Sequence, residues 1–387
     1  MKQAVIVTPF DNYSYNVRIK YVEKYLEEKG YVCKIISSDF DHRYKCHYEN
    51  NRSNLELLHV PEYKKNLSFN RIYSHYIFAK KTAQRLRDLN PDLIYGSAPP
   101  NFLFKYISHY KKLNPKTKLV YEIGDMWPET LPLSKKIKVV ISPLLAVWSR
   151  LRNKYLKYAD YIIYECNLFK ESLQRYHPDT KCRTIYLCKE DFFKKNEFDS
   201  EGKSSISIAY VGSINNIIDI DLIIKVLKVI KNYRYLTFHI IGDGEKRDEL
   251  IGKCSSENIH YIAHGILYDD EEKKQILENC QFGLNIMKNT VKVGATMKSL
   301  EYFHWGLGLI NNIPADTFQI VNKYNCGLNI VDENDQFIEE LAKKISEMST
   351  SQLDDIRKNS RVVYNKMFSE ATIKEKYMNV IKYLESM

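Results

Sequence analysis

Short apolar runs of strand length recur along this chain, and most neighbouring pairs are separated by a stretch long enough for a helix. That alternation constrains the fold more than any other feature, because consecutive parallel strands need a long crossover and a helix is the usual one. Residues 3–8 read as a first strand. A loop through Asp11 and Tyr15 follows, then an amphipathic helix over 16–30 ending at Gly30, then a strand over 31–37. Runs at 55–60, 92–97, 119–123 and 161–164 continue the series, and a polar, Ser-rich passage at 196–205 reads as a linker. Beyond it a second series begins, with runs at 206–211, 236–241, 259–262, 282–287, 307–310 and 328–331. Two helices, about 351–366 and 370–386, close the chain. At 387 residues the chain is long for one core. The pattern predicts an α/β protein of two Rossmann-like, doubly wound domains facing across a cleft.

Composition narrows the class. Hydrophobic content of 44% with 27% charged residues is that of a soluble globular protein. The apolar run at 4–7 lacks a signal-peptide core, and the near-apolar stretch 137–148 is interrupted by Ser142 and Pro143, too short to span a bilayer. The eight cysteines form no C-x-x-C pair and the ten histidines no cluster at zinc spacing, so the reading is reduced thiols in a cytosol and no metal site. The net charge of +10 is uneven: no acidic residue lies between Glu62 and Asp88, between Asp92 and Glu122, or between Glu129 and Asp160. Lysines, arginines and aromatics fill those windows. An anionic membrane surface, an acidic substrate or nucleic acid would each suit such a body, as would a face kept basic for solubility. No nucleic-acid motif is present, so that partner is not expected.

The stretch A-T-M-K-S-L-E-Y-F-H-W-G-L-G-L-I-N-N, from Ala295 to Asn312, predicts a helix from near Thr296 to a terminal glycine at Gly306. A helix starting at the carboxyl end of a parallel strand points free N–H groups at the ligand crevice. Lys298 and Glu301 share one face there. The cation beside free amides suits a diphosphate, and the carboxylate one turn on suits ribose hydroxyls. A surface Lys–Glu pair on an ordinary helix has the same spacing. Gly212 and Ser213 end one strand of this half; Gly242, Asp243 and Gly244 end another, where glycines let the backbone approach a phosphate or sugar, or simply make a turn. Asp125-Met126-Trp127-Pro128-Glu129 follows the strand at 119–123. Trp127 offers a flat wall for a sugar ring and Asp125 an acceptor for a hydroxyl; an Asp capping a turn beside a packed Trp reads equally well. Asp39-x-Asp41 and Asp219-x-Asp221 have metal-motif spacing, which is common by chance, and a metal role would need further oxygen ligands that spacing does not show. The chain has no G-x-x-x-x-G-K-[ST], no G-x-G-x-x-G after its first strand and no G-x-S-x-G.

Taken together and in order, the G-D-G turn, the D-x-W-P-E segment and the K-S-L-E-Y helix resemble the retaining GT-B glycosyltransferases of glycosyltransferase family 4. S-D-F-D-H at 38–42 and M-K-S-L-E-Y-F are similar to the members that assemble bacterial capsule, O-antigen and exopolysaccharide. The resemblance covers the full chain. It implies metal-independent, cofactor-free transfer from a nucleotide sugar, with a UDP-sugar favoured, to a lipid-linked or glycan acceptor at the cytoplasmic face of the membrane. It implies a first, acceptor-side domain of residues 1–187 with 369–387, onto which the last helix crosses back, and a second, donor-side domain of 188–368. It assigns Glu301 to the ribose, Thr296, Met297, Lys298 and Ser299 to the diphosphate-facing helix start, and Gly265 and Ile266 to the turn that reads the base. Ser14 and Tyr15 fall in the loop that closes over the phosphates, and Asp125 and Lys298 become the catalytic pair. Three positions depart from the family pattern: Val293 replaces the first of two glutamates, Gly124 a histidine, and G-S-I-N-N lacks the usual Arg and Lys. These departures keep open a second reading, a catalytically silent GT-B subunit that binds glycan or stabilises a partner enzyme.

Overall fold

A computed structural model of the protein describes residues 1–10, 17–131, 133, 135–191, 193, 198 and 205–387. The chain divides into two compact units, Met1–Tyr186 with Ile373–Met387, and Leu187–Thr372.

The first unit contains strands β1 (Lys2–Val7), β2 (Tyr31–Ser38), β3 (Phe40–Asp41), β4 (Cys46–His47), β5 (Leu55–Leu58), β6 (Leu93–Ala98), β7 (Lys118–Ile123), β8 (Tyr161–Tyr164) and β9 (Lys181–Thr184). Its helices are α1 (Val17–Glu28), α2 (Phe69–Leu89), α3 (Phe102–Leu113), α4 (Lys135–Val140), α5 (Ser142–Asn153) and α6 (Asn167–Leu173). Seven strands form one parallel sheet in the order β5-β2-β1-β6-β7-β8-β9, while β3 and β4 pair as a small antiparallel hairpin. The strands read as continuous apolar runs because helices cover both faces of such a sheet; Ala4 to Val7 and Tyr161 to Tyr164 are buried throughout. β2 and β6 lie on opposite sides of β1, so the direction of winding reverses between β1 and β6. Ligands bind at such reversals, outside the carboxyl ends of the strands. The buried Arg18 of α1 lies 2.6 Å from Glu122 of β7, and Tyr95 of β6 donates to the same carboxylate at 2.6 Å.

The second unit contains β10 (Ile206–Val211), α7 (Ile220–Tyr233), β11 (Leu236–Ile241), α8 (Arg247–Ser256), β12 (Tyr261–Gly265), α9 (Asp270–Leu277), β13 (Phe282–Asn285), α10 (Met297–Trp305), β14 (Gly308–Asn311), α11 (Asp316–Tyr324), β15 (Gly327–Asn329), α12 (Asp335–Ser346) and α13 (Thr350–Met367). Its sheet is parallel in the order β12-β11-β10-β13-β14-β15, with the reversal between β10 and β13. Tyr302 of α10 ties these two strands together, donating to Leu284 O at 3.1 Å and accepting from Val211 N at 3.0 Å. Its ring fills the space beside Gly283, where an added Cβ would lie 2.4 Å from it. The final helix, α14 (Glu370–Ser386), returns to the first unit, where its Tyr377 accepts from Arg18 at 3.0 Å. Among the described residues no helix is long and apolar enough to cross a membrane.

Candidate functional site

The helix that starts beside the second reversal is bounded by local chemistry at both ends. Thr296 is the N-cap of α10: its side chain accepts from Ser299 N at 2.9 Å, and Ser299 Oγ accepts from Thr296 N at 3.1 Å, a reciprocal capping box. Both hydroxyls sit inside this cap, and Thr296 also donates to buried Asn285 at 2.8 Å. Asn285 begins a side-chain ladder across β13, β14 and β15 through Asn311 and Asn329 (2.8 and 2.7 Å), which fixes the sheet edge under the helix. At the other end Gly306 adopts the left-handed conformation, φ 68°, and Arg357 and Arg361 of α13 donate to the carbonyls of Gly306 and His304. The N–H groups of Met297 and Lys298 have no partner among the described residues.

Lys298 and Glu301 do not pair with each other. Lys298 folds back over the end of β10: an added Cβ on Gly212 would lie 3.6 Å from its Cε and 3.9 Å from its Nζ, and Nζ is 5.2 Å from the Tyr210 ring centroid. No carboxylate reaches it among the described residues, and burial pulls its pKa down to about 8. Glu301 is engaged elsewhere. Lys189 Nζ lies 2.9 and 2.8 Å from its two oxygens, and Trp305 Nε1 donates to it at 2.8 Å. Lys189 also reaches Asp270 at 3.3 Å. Sequence reading missed Lys189, whose partner is far along the chain and leaves no local pattern.

Three glycine turns align at the same edge. Gly212 N donates to Ile241 O at 2.8 Å and Gly242 N to Gly265 O at 2.7 Å, while Ile214 N donates to Asp243 O at 2.9 Å. The G-D-G turn is required by close backbone approach, since a Cβ on Gly242 would lie 2.0 Å from Gly212 O and one on Gly244 2.4 Å from Ile214 O. Ser213, Asp243 and Gly244 are exposed, as is Ile266. The structure thus groups Gly212, Ser213, Asp243, Gly244 and Gly265 along one edge, with Lys298 reaching Gly212 from α10. Ser14 and Tyr15 lie outside the described residues. Of the D-x-D pairs, Asp219 caps α7 by accepting from Leu222 N, Asp221 pairs with Lys253, and Asp41 accepts from Arg43 N and Tyr44 N.

In the first unit Asp125 is drawn into its own turn, accepting from Met126 N at 2.7 Å and from the Thr130 hydroxyl; burial raises its pKa. Glu129 of the same segment pairs with Arg152 at 2.7 Å, and Arg152 donates to Trp127 O at 2.6 Å, so the motif's Trp is braced from α5. Over Trp127 lies the guanidinium of Arg71, 4.3 Å from the ring centroid, with His75 stacked 5.9 Å away. Arg71 and His75 are four residues apart on α2, which puts them on one face; along the sequence Arg71 is simply one cation of the stretch between Glu62 and Asp88. Glu165, after β8, was not foreseen either. Burial, offset by Arg18 and reinforced by Glu122 and Asp125, pushes its carboxyl up to about 7. One group among the described residues has the donors of a metal site: Asp39, His47 and His59, with ligand atoms all within 4.8 Å of one another.

Residues 16–188 match the sequence profile of the family described as Glycosyltransferase Family 4. The match spans somewhat less than half of the chain. No curated protein sequence gives a significant match. Among solved structures, sucrose-phosphate synthase from Thermosynechococcus elongatus is similar with a TM-score of 0.70 at 10% identity, covering 100% of both chains. Anabaena HepE, crystallised with UDP, is similar at 0.68 and 12%, again over 100% of both. WaaG, a glycosyltransferase involved in lipopolysaccharide biosynthesis, gives 0.64 and 12% over 98% of this chain and 99% of its own. The fold is GT-B and the enzyme class is glycosyltransferase.

Proposed function

We propose that this glycosyltransferase moves a sugar from a nucleotide-sugar donor, a UDP-sugar by preference, to a lipid-linked or glycan acceptor in the synthesis of a bacterial surface polysaccharide. In this reading the reaction retains anomeric configuration, needs no metal and takes place at the cytoplasmic membrane face. HepE has been crystallised with UDP and with UDP-glucose, and WaaG acts in lipopolysaccharide biosynthesis; both have this fold. The observation that carries the reading is Lys298, held over Gly212 beside the first amides of α10, with no carboxylate partner for the cation and no acceptor for the Met297 and Lys298 amides among the described residues.

A diphosphate seated there meets positive charge that grows in value as the bond to the sugar breaks, which is where electrostatic stabilisation lowers a barrier. The aligned turns at Gly212, Gly244 and Gly265 admit the donor close to the backbone, and Glu301 accepts from the ribose hydroxyls with Lys189 holding it in place. On the acceptor side Asp125 and Trp127 orient the incoming hydroxyl. Its oxygen forms the new bond to the anomeric carbon on the face from which the phosphate departs, and its proton passes to the leaving phosphate oxygen. No protein nucleophile is required.

UDP titration by calorimetry, paired with initial rates over a panel of sugar nucleotides, tests this. Glu301→Ala should weaken UDP binding by about 1.5–3 kcal/mol, the range for hydrogen bonds to a charged group. Lys298→Ala should chiefly lower turnover. Absence of UDP binding by the native protein overturns the donor assignment. Firm UDP binding with no transfer to any acceptor would instead favour the silent-subunit reading.

A further inference from the structure

Buried charges in proteins are ordinarily matched, because an unmatched one carries a large desolvation cost. Arg18 has Glu122, Arg152 has Glu129 and Arg361 has Asp191. Arg71 is 7% exposed and has no carboxylate within 4.0 Å among the described residues. Its Nη1 donates to Asn66 O at 3.0 Å and its neighbours are the Tyr63 phenol and the Trp127 face, while its Nε is buried with no partner among the described residues. His75, 4% exposed, likewise has a buried Nε2 without a partner among the described residues. Burial and Arg71 keep that imidazole neutral, so it adds a hydrogen-bonding atom and no second charge.

Both residues line a cavity of about 220 Å³ whose other walls are largely apolar, with Leu67, Phe69, Leu131, Leu144, Leu145 and Trp148 among them and Asn66 and Ser68 as the polar exceptions. The buried pair marks its deep end. Leu67, Phe69 and Leu144 are 51%, 81% and 52% exposed and mark an open mouth. Val139, Val140 and Val147 of α4 and α5 are exposed as well, as are Lys136 and Arg150 on the same two helices. A guanidinium with no carboxylate in contact among the described residues, only Asp125 acting on it from farther off, is complementary to an anionic head on a hydrocarbon chain, and the planar fork of arginine suits a phosphate.

We propose that this cavity holds a phosphate-bearing amphiphile, its phosphate on Arg71 and His75 and its chain leaving along Leu144, Leu145 and Trp148, and that the sugar acceptor is of this class. The assignment rests on the acceptor reading given above and narrows it from any glycan to a lipid phosphate.

Octyl phosphate below its micelle concentration, titrated into the full chain while tryptophan emission and heat are followed, is the test. Octyl glucoside and inorganic phosphate serve as half-ligands. Octyl phosphate should bind more tightly than either. Arg71→Gln should weaken it by about tenfold or more, the loss of a charge-assisted hydrogen bond. Leu144→Asp, at the half-exposed mouth, should weaken it comparably while leaving the melting temperature near that of the native protein. Equal affinity for octyl glucoside, or an unchanged Arg71→Gln, would make the cavity an apolar site with no anion preference. Inorganic phosphate binding as well as octyl phosphate would point to a soluble phosphate ester and overturn the lipid assignment. UDP is titrated into the same samples: UDP binding without octyl phosphate binding sinks this proposal alone, whereas loss of UDP binding by the native protein sinks the donor reading.

Discussion

At the scale of single residues, two displaced titrations give pH dependences of known sign. Lys298 is charged below about pH 8 and loses its proton above it, so the charge proposed for the leaving diphosphate fades over the same range. The alkaline limb of kcat/KM should therefore fall through about pH 8, since that ratio reports the free enzyme's essential groups. Lys298→Arg, which keeps its charge, should retain part of the rate and lose that limb; a limb unmoved by the substitution would remove Lys298 from the chemistry. Glu165 is the opposite case. The folded protein keeps its proton up to about pH 7, whereas an unfolded chain releases it near the usual glutamate value, about 4.3. Between those values the folded state binds more protons, so stability contributed by this group declines as pH rises across that window. Glu165→Gln preserves shape and neutrality and should flatten this part of the curve of melting temperature against pH; melts of both proteins from acid to neutral pH decide it.

Elements behave differently according to how local their determinants are. The limits of α10 were legible because caps are read within four residues: Thr296 as N-cap and Gly306 as terminal glycine stand where the sequence places them. Two parallel sheets were legible from the alternation of strand-length apolar runs and helices, with ends shifted by a residue or two, as in β14 at Gly308–Asn311. What Lys298 and Glu301 touch was not legible, since Gly212 and Lys189 come to them through sheet order, which periodicity does not encode. For the same reason Arg71 and His75 acquired significance only once α2 lay against the turn at Trp127. The segment 135–158 shows the limit from the other side. Its apolar and basic content suits a helix lying on a membrane surface, but two of its aromatics are not available for that: Tyr155 is buried and Trp148 packs edge-on against Trp127 at 6.2 Å. The exposed apolar residues are instead Ile137, Val139, Val140, Leu144 and Val147 on α4 and α5. A face of this kind suits interfacial binding. Flotation with anionic vesicles should recover the protein, less so as salt rises, and Val139→Asp with Val140→Asp should abolish recovery. Undiminished recovery of that double variant would place any membrane contact on another surface.

For the whole molecule, the question is where positive charge for a doubly anionic diphosphate comes from. A net charge of +10 supplies a favourable field for anionic donors and membranes alike, but a field that general stabilises no particular bond. The second unit offers a local source in Lys298 and the amides of α10, at the reversal of its sheet. The metal-type donors Asp39, His47 and His59 belong to the first unit, and Asp39 is already bonded to His59 at 2.7 Å and to Val60 N at 3.0 Å. If Lys298 and the helix amides carry the phosphate charge, chelation has nothing essential to remove. Turnover from a UDP-sugar should then survive EDTA with little loss, and added manganese should not raise it. Strict manganese dependence would shift the neutralisation of the diphosphate from Lys298 to a bound cation and overturn the metal-free reading. Loss in EDTA restored by zinc, and abolished by His59→Ala, would instead assign a supporting ion to Asp39, His47 and His59. Initial rates of native protein and of His59→Ala, with and without chelator and with each metal returned, separate the three outcomes.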